Sequence, residues 1–259
     1  MPLYTETTAG LCFMIQARMG SSRLPQKMNL PFYEGETLLT LLLQKLQSHF
    51  DLPIVLATSE HPSNSVLETV ALAHGVQVFR GAESDVLGRF VSAAETFQYT
   101  RVIRICADNP FLDVASLHTL LATVAEHPDV DYMGFRVNGL PAIKTHFGFW
   151  AEYVSVAALQ QVQAATSDAW YHEHVTNYLY EHPETFALHF IPVPSFLEGR
   201  TDIRMTLDTP EDFTTLSAVF ADLVAQYGFS FGLPELVTYL ESHPDYLGVM
   251  ETQIRAQTK

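Results

Sequence analysis

The chain has 259 residues, 47% of them apolar, enough for one α/β domain or a domain with a sizeable insertion. Its 14 basic against 29 acidic side chains give a formal charge of −15, which argues against a nucleic-acid polymer as partner, because such binding neutralises many phosphates. Residues 1–10 have neither the basic start nor the apolar core of a signal peptide, and no apolar run reaches the length of a membrane span, so a cytoplasmic protein with no membrane partner is expected.

Leu11–Gln16 reads as a strand. Directly after it, Ala17-Arg18-Met19-Gly20-Ser21-Ser22-Arg23-Leu24-Pro25-Gln26-Lys27 gathers three cations, a glycine and two serines against the acidic background. Glycine lets backbone N–H groups approach a ligand, serines donate hydrogen bonds and the cations neutralise phosphate oxygens, so the loop suits a small polyphosphate. It is neither a Walker A sequence, since Pro25 stands where the second glycine belongs and no Ser or Thr follows Lys27, nor a Gly-x-Gly-x-x-Gly fingerprint.

Helical spacing follows at Thr37–Phe50, a strand at Ile54–Ala57, a helix from Ser65 to His74, a strand at Val76–Phe79 and a helix at Val86–Phe97. Arg101–Cys106 is a further strand and Ala115–His127 a further helix. Apolar strands alternating with amphipathic helices predict a mostly parallel sheet covered on both faces, with ligands beyond the strands' carboxyl ends. The loop from Ala17, the pair Thr58-Ser59 and the turn Ala107-Asp108-Asn109-Pro110 would converge there. Cys12 and Cys106 fall in buried strands and read as core residues, not as a disulfide or metal site.

After Asp129 the rhythm changes. Residues 131–150 read as short strands around a Gly139-Leu140-Pro141 turn, followed by helices at Val154–Ala164 and Trp170–Tyr180 and a strand at Ala187–Val193. Leu207 closes another strand, Pro210–Tyr227 is a helix and Pro234–His243 a last one. The economical organisation is one domain over 1–259, with an inserted acceptor or dimerisation subdomain at 131–200. The aromatic residues Tyr132, Phe135, Phe147, Phe149, Trp150, Trp170 and Tyr171 exceed what such an insertion can easily bury, which predicts a homodimer through this region.

Several side chains can carry chemistry. Asp108 follows a strand and precedes Asn109-Pro110, so it can bind a hard cation such as magnesium or close an Asx turn. Thr209, Pro210 and Asp212 form a helix cap, which leaves Asp208 at a strand end with no structural duty. Asp85 caps the helix that follows it, and Arg89, one turn on, faces a ligand or solvent. In His172-Glu173-His174 the zinc pattern fails because Thr176 occupies the second histidine position, and residues two apart on a helix point about 200° apart.

Ala17–Lys27 resembles the signature of the cytidylyltransferases that activate sugars, Ala-Arg-x-Gly-Ser-x-Arg-Leu-Pro-Gly-Lys. Further blocks fall in the family's order: Ala57-Thr58-Ser59, Val78-Phe79-Arg80-Gly81 with Asp85-Val86-Leu87-Gly88-Arg89, Ala107-Asp108-Asn109-Pro110, Glu173-His174-Val175-Thr176 and Leu207-Asp208-Thr209-Pro210-Glu211-Asp212. The combination is closest to the spore-coat polysaccharide branch, which is similar to the CMP-sialic acid and CMP-Kdo synthetases. The resemblance implies a GT-A-like nucleotidyltransferase fold, CTP and a sugar-like or anionic acceptor as substrates, and Mg2+ as cofactor. It implies that Arg18, Arg23 and Lys27 hold the triphosphate and that Asp108 and Asp208 bind the metal. Ala17, Gly20, Ser21, Thr58, Ser59 and Arg89 would complete the nucleotide site, with Glu173 and His174 at the acceptor.

The pattern is broken at three places. Gln26 replaces the glycine before the lysine, and Ala107 and Asn109 replace Gly and Cys around Asp108. The family stretch Asp-Gly-x-Asp-Val-Glu-Val-Phe reads here as Thr145-His146-Phe147-Gly148-Phe149-Trp150-Ala151, without its acidic residues, which bears on the acceptor. Two other functions fit part of the pattern: a glycosyltransferase of the same fold, for which Asp129-Val130-Asp131 has the Asp-x-Asp spelling, and a non-catalytic nucleotide-binding homologue.

Overall fold

The computed structural model describes residues 9–257; most of the N-terminal segment read above lies outside them. In chain order the strands are β1 (Leu11–Gln16), β2 (Pro31–Tyr33), β3 (Glu36–Thr37), β4 (Ile54–Ser59), β5 (Gln77–Gly81), β6 (Arg101–Cys106), β7 (Tyr132–Val137), β8 (Leu140–Pro141), β9 (Glu152–Ser155) and β10 (Leu188–Pro192). The helices are α1 (Leu38–His49), α2 (Ser65–Ala73), α3 (Val86–Phe97), α4 (Val114–Glu126), α5 (Val156–Ala165), α6 (Ala169–Glu173), α7 (Asn177–Glu181), α8 (Pro210–Tyr227), α9 (Leu233–Ser242) and α10 (Pro244–Ala256).

The main sheet runs β10-β7-β9-β6-β1-β4-β5, with β8 on β7. Its long strands are parallel except β9, which lies antiparallel between β6 and β7. This is an α/β, Rossmann-like architecture, and the carboxyl ends of β1, β4, β5 and β6 share one edge. Side chains alternate across the sheet as the two-residue period requires. Leu11, Phe13 and Ile15 of β1 join the core under α1, α2 and α4, while Cys12 and Met14 pack beneath α3 and α5.

Residues 131–200 supply β7, β9 and β10 to this same sheet. Tyr132, Phe135, Phe147, Phe149 and Trp150 are buried in the chain's own core, so the aromatic surplus behind the expected dimer shrinks to exposed Trp170 and partly buried Tyr171. The hairpin turn lies one residue earlier than its sequence suggests. Asn138 and Gly139 both have positive φ (51° and 78°), as a type I′ turn requires, and Leu140–Pro141 is strand.

Val154 belongs to β9, not to the following helix, which starts at Val156. The helix expected over Trp170–Tyr180 breaks into α6 and α7 at 174–176. No ladder forms before Leu207; residues 203–207 are extended but unpaired as a strand. Cys12 is fully buried, whereas Cys106 is partly exposed, and the two form no disulfide with each other. Among the described residues no helix is long and apolar enough to cross a membrane.

Candidate active site

The loop after β1 is pinned from beneath. The Met19 N–H donates to Asn64 Oδ1 (2.7 Å), and Asn64 Nδ2 donates to Ser59 Oγ (2.6 Å) at the end of β4. The Ser21 hydroxyl accepts from the Leu24 N–H (3.2 Å). A Cβ at Gly20 would sit 3.0 Å from Glu83 Oε1, so the loop's tip closes against the segment after β5. Gln26 has φ 58° and ψ 21°, the left-handed conformation, and leads into a single 3-10 turn from Lys27 to Asn29. The glycine of the family signature at this place therefore meets a backbone requirement, which Gln26 satisfies at a cost of about 1 kcal/mol.

Lys27 stands at the centre of an ion cluster. Its ammonium is 2.7 Å from Asp108 Oδ2, 2.9 Å from the Leu207 carbonyl oxygen and 3.7 Å from Asp208 Oδ1. Arg23 also reaches Asp208 Oδ1 (2.9 Å). The two carboxylates, far apart in sequence, thus face one ammonium beside the carboxyl end of β6.

They meet because the 203–207 segment lies against the 107–109 and 146–148 loops. Leu207 N–H donates to the Asp108 carbonyl (3.2 Å), and Met205 N–H to that of His146 (2.8 Å). Gly148, at φ 62°, permits the approach, since a Cβ there would lie 2.8 Å from the Met205 carbonyl oxygen.

Arg204 fixes Asp208 from behind. Its buried guanidinium donates to Asp208 Oδ2 (3.0 Å), to both Asp212 oxygens (2.7 Å each) and to His146 Nδ1 (2.6 Å). Burial pushes the Asp212 carboxyl up, but Arg204 and the backbone N–H groups of Asp208 and Thr209 outweigh it and hold the group below the usual range. The capping box expected from Thr209 and Asp212 is present.

A second cluster lies beside the first turn of the loop. Arg18 pairs with Glu173 at the end of α6 (2.9 Å). Asp85 caps α3 by accepting from the Gly88 N–H (2.7 Å) and also holds His172 Nδ1 (2.8 Å). Arg89 is buried; one nitrogen donates to the Ala82 carbonyl (2.9 Å), while Nε and a terminal nitrogen have no hydrogen-bond partner among the described residues. Burial and the charge of Arg18 lower its pKa. His174 packs on the exposed ring of Trp170, and Thr58 Oγ1, at the carboxyl end of β4, is buried without a partner. The sequence-predicted residues thus gather along one sheet edge, in two clusters bridged by the Ala17–Lys27 loop.

Glu152 corrects one expectation. Counted from Gly148 it falls four residues on, as the glutamate follows the glycine of the family stretch, so that stretch keeps one carboxylate. Its two aspartates are replaced by the buried aromatics Phe147 and Trp150. Glu152 is itself buried, accepting from Arg104 (2.6 Å), Tyr132 Oη (2.6 Å) and Thr176 Oγ1 (3.2 Å), while Arg104 also donates to Gln16 Oε1 (3.0 Å). This network ties the last residue of β1 to the break after α6.

Asp131, by contrast, precedes β7 at the opposite edge of the sheet. There it accepts from Ser155 Oγ and the Ala187 N–H, so Asp129-Val130-Asp131 supplies no metal motif beside Asp108.

Asp108 and Asp208 are hard oxygen donors converging on one cationic group, a set that fits magnesium, which takes one or two carboxylates and completes its shell with water and substrate phosphates. Asn64, Arg204 and Glu152 were not legible as site residues. Glu152 alone had a signal, its spacing from Gly148.

A cytidylyltransferase family model matches residues 12–236. The chain belongs to the cytidylyltransferase family. It is 32% identical, over 91% of its length and 95% of the relative's, to the spore coat polysaccharide biosynthesis protein SpsF of Bacillus subtilis. Among solved structures, a cytidylyltransferase from Leptospira borgpetersenii superposes with a TM-score of 0.79 at 25% identity, covering 92% of this chain and 96% of that one. CMP:2-keto-3-deoxy-manno-octonic acid synthetase complexed with CTP superposes with a TM-score of 0.62 at 15% identity, over 82% and 98% of the two chains, and shares the fold.

Proposed function

We propose that this CTP-dependent nucleotidyltransferase transfers CMP from CTP to a sugar or sugar-acid-like acceptor, releasing pyrophosphate, in the assembly of a surface polysaccharide or glycan. The family membership and the SpsF relative support the class of reaction. The observation that carries the site assignment is the convergence of Asp108 and Asp208 on Lys27, at the mouth of the loop that bears Arg18 and Arg23.

In this reading an acceptor oxygen attacks the α-phosphate in line, and the bond to the leaving pyrophosphate breaks. Arg23 and Lys27 leave their carboxylates for the phosphate oxygens and stabilise the charge of the departing group, a positioning and electrostatic task. Asp108 and Asp208 would hold Mg2+, which when bound draws charge from the phosphates and orients them. Thr58, with its unpartnered hydroxyl, and Ser59 lie where base and ribose would follow. Arg18 would join Arg23 and Lys27 on the triphosphate, buried Arg89 would back the nucleotide site, and Glu173 and His174 would meet the acceptor.

The test is substitution with separate readouts. Lys27→Ala removes a charge-assisted contact of roughly 1.5–3 kcal/mol, so CTP binding should fall about ten-fold or more by calorimetry while CMP binding changes little. Asp208→Asn should abolish pyrophosphate release in a folded protein. Equal losses for CMP and CTP in Lys27→Ala, or full turnover in Asp208→Asn, would overturn the assignment.

A further inference from the structure

The chain carries a concavity beside the turn that follows Asp108. A cavity of about 260 Å³ lies between α1, residues 109–110 and the aromatic side chains of Phe220 and Phe229. Its walls are leucines of α1, Pro110 and those two rings, and its polar groups include Lys45, Asn109 and, on the exposed part of α1, Gln44 and His49. Apolar walls around a few polar groups are what small-molecule sites share.

Lys45 is the anomaly. Of the three described lysines, Lys27 and Lys144 pair with carboxylates, whereas Lys45 forms no ion pair although the chain bears a net charge of −15. Its ammonium donates to the carbonyl oxygens of Leu112 (3.1 Å) and, at the limit of a hydrogen bond, Pro110 (3.5 Å). The closest acidic influence is Asp113, whose carboxylate is engaged in capping α4 through the Ser116 N–H (2.8 Å). The side chain keeps part of its accessible surface where it lines the cavity, yet the protein crowding the ammonium lowers its pKa to about 8. A crowded cation without a counter-charge is costly, and a carboxylate entering the cavity would remove that cost.

We propose that this cavity binds a small apolar monocarboxylate, with its carboxylate on Lys45 and its hydrocarbon against Leu38, Leu41, Leu42, Phe220 and Phe229. A single ammonium among apolar walls matches one negative charge. The dense charge of a phosphate would call for the arginine-rich edge of the sheet instead.

Decanoate is a suitable probe, titrated into the full chain by calorimetry in the presence of saturating CTP, which occupies the other anion site. One saturable site per chain is expected. Decanol, of equal length and without charge, should bind at least ten-fold more weakly, and Lys45→Met should lower decanoate affinity by a similar factor. Leu41→Trp, which fills the cavity from a partly buried position, should remove decanoate binding and leave CTP binding intact. Equal binding of decanol and decanoate, unchanged decanoate binding in either variant, or no saturable site would overturn the proposal. If Lys45→Met does not fold, the Leu41→Trp protein and the decanol comparison still decide it.

Discussion

At the residue scale, the signature loop departs from its family at Gln26, and the backbone explains what that departure costs. The position is left-handed, so Gln26→Gly should relieve strain, offset in part by the greater freedom of glycine in the unfolded chain. A net gain of about 0.5 kcal/mol is expected, read as a higher midpoint in urea with an unchanged slope. A loss of stability would show that the glutamine side chain contributes more than its backbone costs.

Arg204 is the other informative residue. Arg204→Met leaves the buried Asp212 without its cation and releases Asp208, so stability should fall by about 3 kcal/mol. The linked pH effect has a definite sign. The Asp212 carboxyl is held below its unfolded value, so its contribution is present above that value and is lost as pH falls through the lowered folded one. The wild-type protein should therefore lose more stability than Arg204→Met on going from pH 6 to pH 3, measured by urea unfolding.

At the scale of elements, the break between α6 and α7 lies on the side of the site proposed for the acceptor. His172 at the end of α6 has Thr166's carbonyl on Nε2 (3.0 Å) and Asp85 on Nδ1 (2.8 Å), acceptors on both ring nitrogens. The backbone bond to Thr166, then Asp85, raises its pKa against the opposing effect of burial. Its contribution to docking α6 on α3 is thus present below the ordinary histidine value near 6.5 and is lost as pH rises through the raised one.

His189 on β10 titrates in the other direction, lowered by burial and by His127, whose ring lies 4.2 Å away. Proton NMR should give a midpoint above 6.5 for His172 and below 6.5 for His189. A His172 midpoint at or below that value would remove the protonated ring from the contact between the two helices.

Elements were legible where one local rule governed them. β1, α3, β6 and α8 begin and end as periodicity and capping predict, because Asp85 and Thr209 with Pro210 fix where their helices start. The β2–β3 hairpin went unread: its turn, Glu34-Gly35, places both residues at positive φ without an Asn-Gly or Asp-Gly signal. α10 was also missed, a helix entered through Pro244 with little apolar patterning beyond buried Met250. β9 hid inside an apolar run that fits a helix equally well, and only its pairing with β6 and β7 decides the matter.

At the scale of the molecule, the site's outline was visible as blocks in family order, and its wiring was not. Arg18, Arg23, Lys27, Asp108 and Asp208 could be picked out because their residue types announce phosphate and cation chemistry. Arg204 braces Asp208, Asn64 pins the loop at Met19 and Glu152 ties Arg104 to Thr176, and such roles depend on who the neighbours are, which sequence spacing does not reveal. The same limit weakens the aromatic argument for a dimer, since side chains that look surplus along the chain pack together in space, Trp150 against Phe135 of β7 and against Phe149.

The meeting of Lys27 with both Asp108 and Asp208 also has a consequence in time. Synthesis runs from the amino end, and the strands through β6 can pair while the remainder is still being made. Until the segment around 204–212 leaves the ribosome, the ammonium has one carboxylate instead of two, and Asp208 and its Arg204 brace do not yet exist. A nascent chain arrested earlier could hold a partial sheet and an exposed basic loop, but not the completed cluster of Lys27, Asp108 and Asp208. Competence for transfer would then arrive abruptly, with the last quarter of translation.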